Sequence, residues 1–146
     1  MAVTAEIYAQ FFENALRGNL DDLEGEEALE CMLLNTDHSF SEADEFVDDI
    51  VANEIDDADY SRQALTGVSV SQGVDSDDNQ INVDADDINF GNELTISAYY
   101  AVIYQSQTDD TDSPLMFHVD FDGEEASQDG TFELQVHDYG LFDVVT

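Results

Sequence analysis

Two periodicities divide the chain. Near the N-terminus, Ile7, Tyr8, Phe11, Phe12, Ala15 and Leu16 recur at helical spacing and form one apolar stripe. Thr4 is a fitting N-cap, and Glu6 suits the positive end of the helix that follows. Arg17 suits the last turn, and Gly18 is a natural stop. A second helix is predicted over Glu42–Asn53, with Ser41 as N-cap and Glu42 and Asp44 in the first turn. Phe46, Val47, Ile50 and Val51 make its buried side. Between the two, Ala28–Leu34 reads as a short buried strand, with a helix as the alternative.

From about Ala64 the period changes to two. Ala64, Thr66, Val68 and Val70 alternate, and Ile81 and Val83 follow a polar turn. Ile88 and Phe90 read as a short strand. Leu94–Tyr104 is the longest, with apolar residues on both faces, as a central strand has. Phe117, Val119 and Phe121 alternate with His118 and Asp120; Phe132, Leu134 and Val136 alternate with Glu133, Gln135 and His137. Leu141, Phe142, Val144 and Val145 suggest a last strand. Turn clusters at Thr108–Pro114 and Asp122–Gly130 separate these runs. The expectation is a mainly β (α+β) fold, an antiparallel β-sandwich with N-terminal helices. Residues 1–146 read as a single domain, helical over about 5–55 and β-rich over about 64–146.

Charge changes the picture. The chain has 36 Asp and Glu against 2 Lys and Arg, a formal net charge of −34, and its cations are Arg17 and Arg62. Yet 42% of residues are apolar and 10% aromatic, so this is a chain with a core and not a disordered acidic tail. At ordinary ionic strength such a surface repels itself. At ~1 M salt the screening length falls to about 3 Å and the repulsion is quenched. Acids spread over nearly every segment therefore point to a protein of a halophile. Two arginines cannot supply the clustered cations of a nucleic-acid site or of an anionic membrane surface, so neither partner is expected. Concentrating acids on one face would suit a mimic of DNA, and the even spread disfavours it. The first residues lack the basic stretch of a secretory signal, and no apolar run approaches a membrane span.

Candidate chemistry is thin. Reading Gly123 as the sixth residue of a calcium loop places His118, Asp120, Asp122 and Asp129 at ligand positions, with the wrong first ligand. Reading Asp75 as the first gives Asp77 and Asn79, but Gln80 falls where glycine is needed. Non-specific surface binding of K⁺, Mg²⁺ or Ca²⁺ is the expectation, with no dedicated cofactor or metal site. His38, His118 and His137 lack zinc-ligand spacing; His118 and His137 are expected on an exposed sheet face. Cys31 has no partner and sits in an apolar run, so it reads as a small buried hydrophobe. No serine lies in a nucleophile elbow. Catalytic residues are not expected. Tyr99, Tyr100 and Tyr104 are candidates for stacking on a ligand or a protein, with core packing as the commoner use.

Several runs resemble a family of small virion structural proteins encoded by tailed phages. These are Asp49–Ile55, Asp59–Leu65, Val83–Phe90, Ile96–Tyr104, Ser113–Leu115, His118–Phe121 and Gly130–Phe132. The resemblance extends over nearly the whole chain and fades near Gly140–Phe142. It implies a capsid decoration or minor capsid component, here of a haloarchaeal tailed virus, made in the host cytoplasm and placed on the capsid exterior. The implied partners are the major capsid protein and further copies of the chain, which closed rings at capsid symmetry axes would make a trimer or pentamer. It brings no catalytic residue and no cofactor. Two alternatives stand beside it: a tail or fibre protein that stacks host glycans on Tyr99 or Tyr100, and a soluble acidic binding protein of a halophile.

Overall fold

The computed structural model describes residues 3–25, 28–74, 77–137 and 141–145. Its elements in chain order are β1 (Thr4–Ile7), α1 (Ala9–Leu16) and β2 (Leu29–Leu34), then two 3-10 turns (Val47–Asp49 and Val51–Asn53). After them come β3 (Gln63–Ala64), β4 (Ser69–Val74), β5 (Asp77–Asp84), β6 (Ile88–Gln105), β7 (Leu115–His137) and β8 (Leu141–Val145). The fold is mainly β and every strand pair is antiparallel. Six strands form one sheet in the order β1-β7-β6-β2-β3, with β8 also on β7; β4 and β5 form a separate two-stranded sheet. Among the described residues, no helix is long and apolar enough to cross a membrane.

The N-terminal helix begins later than its sequence suggests. Thr4 does not cap it, because Thr4–Ile7 pair with β7 from Asp120 to Phe117. Tyr8, extended at φ −70° and ψ 127°, turns the chain into α1. An eight-residue helix does not stand alone; buried Phe11 and Asn14 anchor this one. Gly18, at φ 77°, ends it, and the Gly18 and Asn19 N–H groups donate to the carbonyls of Ala15 and Asn14.

The helix predicted over Glu42–Asn53 does not form. Phe46 bridges to Pro114, and only the two 3-10 turns follow. Tertiary bonds take the backbone groups that a helix would use. Val47 and Asp48 N–H donate to Ser113 and Asp110 carbonyls, and Leu115 N–H donates to the Glu45 carbonyl. The Asp49 carboxylate accepts from the Glu45 and Phe46 N–H groups. Val47 and Ile50 are buried as their spacing suggests, but by a chain that lies across the sheet.

β6 is central, flanked by β7 along its length and by β2 over Tyr100–Gln105. There both faces are covered: Ala101, Val102, Ile103 and Tyr104 are all buried. Ile88 and Phe90 belong to this strand and not to a separate one. Gly91, at φ 141°, carries an irregularity in the pairing, where an added Cβ would meet the Leu94 side chain at 2.9 Å. Gly67, at φ 63°, interrupts the alternating run Ala64–Val70, so β3 stops at Ala64 and β4 starts at Ser69.

The turn predicted at Asp122–Gly130 is also absent, and β7 runs through it. Tyr100 pairs with Asp120 and Ala98 with Glu125, so β7 places Phe121, Asp122, Gly123 and Glu124 against Tyr99 alone. Asp122 and Gly123 absorb the excess at φ 59° and 141°. The strand bends sharply as a result. The rings of Phe121 and Phe132 lie 6.4 Å apart, whereas eleven residues of straight strand would span about 36 Å. The β6–β7 ribbon thus folds over on itself. Leu29, Ile103, Phe117 and Val136 meet Leu65 and Val83 around a gap of about 20 Å³, room for about one water.

Candidate functional site

The structure corrects the placement of His118. It is 2% exposed, and so is not on an open sheet face. His118 shares its face with Tyr100 and Val102 of β6, and the segment after β2 folds over that face. This brings in His38, itself 4% exposed, and the two Nε2 atoms lie 3.1 Å apart. One ring must donate an N–H and the other accept it, so the two imidazoles hold opposite tautomers. Tyr8, Phe40 and Tyr100 pack around them, with ring centroids 5.0–6.2 Å from His118. Burial pushes His118 down from its ordinary value to about 4, and the neighbouring His38 pushes the same way; Asp120 opposes both. Burial lowers His38 as well. The pair is neutral near pH 7. The Tyr8 hydroxyl is buried without a hydrogen-bond partner among the described residues.

A second polar centre surrounds Arg62. Its guanidinium grips Glu54 through Nε and Nη2 at 2.8 and 2.9 Å. It also grips Asp110 through Nη1 and Nη2 at 2.8 and 3.1 Å. It donates to the Tyr104 hydroxyl and lies over the Tyr104 ring. Tyr104 in turn donates to Glu30, and Tyr60 donates to Glu54 while accepting from the Leu33 N–H. One of the chain's two cations thus ties β2, β6 and two loops together. The five donors of the guanidinium are spent on fixed partners, so this centre holds structure and leaves no free donor for a ligand.

The other candidates fall outside any reactive arrangement. Cys31 is fully buried, which pushes its thiol up and keeps it protonated. Asp120, Asp122 and Asp129 lie along β7, and among the described residues no group of three or more His, Cys, Asp or Glu side chains could hold a metal ion. The Asp75 loop and the His137 side chain lie outside the described residues. Tyr104 belongs to the Arg62 centre, and Tyr100 packs against both histidines, so neither offers a free ring face. Tyr99 is half-buried.

What remains distinctive is on the surface. The large hydrophobic side chains exposed among the described residues are Ile7, Phe12, Leu16 and Val70. Three of the four belong to β1 and α1, and Leu16 is 90% exposed. From Ile7 to Leu20 the chain carries one acid, Glu13, and one base, Arg17, ion-paired at 2.9 Å. This is an apolar stretch, charge-balanced along the chain, on an otherwise acidic protein. Sequence reading missed it because Phe12 and Leu16 sit on the same helical stripe as buried Phe11. Compared with known protein-family models, curated proteins and solved structures, the chain matches none.

Proposed function

We propose that the chain is a non-catalytic assembly protein, working as a capsid decoration or minor capsid component of a halophilic tailed virus. It would bind the major capsid protein and other copies of itself by surface complementarity. The observation that carries this reading is the patch of Ile7, Phe12 and Leu16 within a charge-balanced stretch of a chain with net charge −34. Such apolar exposure is a liability unless a partner covers it. The acid coat would keep the remaining surface hydrated in concentrated salt, and the sharp bend of the β6–β7 ribbon is compatible with a two-layered sandwich. The two polar centres described above are each satisfied internally, histidine to histidine and Arg62 to Glu54 and Asp110. The capsid setting comes from the resemblance of the runs quoted above. Mass spectrometry of purified virions, followed by a cryo-electron microscopy map, tests it. The expected result is density for this fold on the outer shell. Its absence from virions defeats the reading, and density confined to the tail moves the protein to the fibre alternative.

A further inference from the structure

β1 pairs with β7 on one side only, and among the described residues no strand pairs with its other side. β8, which also pairs with β7, comes near β1 but does not pair with it. The direction of each backbone group follows from the register. Tyr8 N–H donates to the Met116 carbonyl at 2.9 Å, continuing the ladder in which Ile7 faces Phe117 and Glu6 faces His118. Bonding positions alternate in an antiparallel ladder, so Glu6 and Thr4 also bond β7. Ala5 and Ile7 therefore aim their N–H and C=O groups outward. All four residues of β1 are exposed. The edge also lacks the usual defences: it has no lysine, proline or bulge, and its one charge is Glu6.

We propose that this edge is a self-association site, at which β1 pairs antiparallel with β1 of a second copy. Charge chooses the occupant. A basic partner would be drawn to the acidic faces and would gain nothing from a neutral strip. Concentrated salt screens the long-range repulsion between two −34 copies, so what matters is charge brought into contact, and the Thr4–Ile7 edge brings only Glu6, beside the charge-balanced stretch Ile7–Leu20. A two-fold axis sets the same β1 edge of each copy against the other. The same physics sets the register. Centring the axis on Glu6 would bring two like charges face to face, and centring it on Ile7 would run Ala5 into the partner's α1. Centring it on Ala5 sets Ala5 against Ala5 and each Val3 against the other copy's Ile7, with Glu6 facing Thr4. A two-fold contact closes a dimer in place of the trimer or pentamer suggested by capsid symmetry.

Sedimentation equilibrium of the full chain in multimolar potassium chloride tests this independently of any virion. The expected mass is that of a dimer. Ala5→Pro removes an outward N–H and no β7 bond, so the variant should keep the wild-type circular dichroism and sediment as a monomer. An Ala5→Cys variant gives a second reading that does not depend on the proline fold. Across a hydrogen-bonded pair the Cα atoms stand about 5.5 Å apart, within disulfide reach. Mild oxidation should yield a covalent dimer of that variant, while Thr4→Cys, out of register with itself, should stay uncrosslinked. The native Cys31 is buried and does not compete. A monomeric wild type overturns the proposal, as does a trimer or pentamer, or crosslinking at Thr4 equal to that at Ala5. A monomer that is nonetheless found on virions would remove the dimer and leave the capsid reading standing.

Discussion

Acidification should act on the buried histidine pair, and its size follows from the site. Nε2 of His118 lies 3.1 Å from Nε2 of His38. Protonating either ring leaves two donors facing each other and a charge among Tyr8, Phe40 and Tyr100. The acids near the pair are Glu6, opposite His118 on β1, and Asp120, two residues along β7; Asp120 is the one that works against the downward push. His118 falls from 6.5 to about 4 on folding. A depressed folded value means that the native state binds fewer protons than the unfolded chain. The contribution is therefore complete above pH 6.5 and is lost as pH falls through about 4. At about 1.4 kcal/mol per pH unit it amounts to about 3 kcal/mol in all, of which about 2 kcal/mol is gone by about pH 5. His38, also lowered, adds in the same direction.

The assay is urea unfolding in multimolar potassium chloride at a series of pH values. It compares the wild type with a His38→Leu/His118→Leu double variant, which removes both titrations without stranding one ring. The carboxylates titrate alike in both proteins, so the difference isolates the pair. The wild type should lose about 2 kcal/mol more than the variant between about pH 7.5 and pH 5. Parallel stability curves over that window would mean that the imidazoles titrate as in the free chain, and the buried pair would be refuted.

Three further outcomes follow from the same packing. Arg62→Met strands the half-buried carboxylates of Glu54 and Asp110 and should lower unfolding stability by about 2 kcal/mol even in concentrated salt, whereas Arg17→Gln, at an exposed helical pair, should stay within about 0.5 kcal/mol. Equal effects of the two in chemical denaturation would contradict the keystone role of Arg62. Tyr8→Phe removes a hydroxyl buried without a partner among the described residues and should raise stability by about 1 kcal/mol; an equal loss would show that the hydroxyl is bonded. Lowering salt well below about 1 M should loosen the fold, because screening of the −34 surface is lost; unchanged circular dichroism and sedimentation would refute this.

The chain's own pattern left Ala28–Leu34 open between strand and helix and only suggested a strand at Leu141–Val145, both of which form as strands, but it determined the strand-rich class and the two-faced burial of β6. Each is a local property: a period of two and a run of apolar side chains suffice. Composition determined the acidic coat in the same way, since net charge needs no fold. The bend in β7, the loss of the Glu42–Asn53 helix and the His38–His118 pair were decided only by tertiary structure. Asp122 and Gly123 have turn chemistry, and whether such residues reverse a chain or bulge within a strand depends on the neighbour that holds the ladder, here β6. The helix gave way because Ser113, Asp110 and Leu115, some sixty residues on, supplied partners for its backbone. His118 looked outward because alternation reports two faces without saying which one is covered. The cover is a segment 80 residues earlier, and nothing near His118 in the sequence shows that His38 will lie against it. Alternation is written into neighbouring residues; coverage depends on which distant segment has apolar surface left to bury.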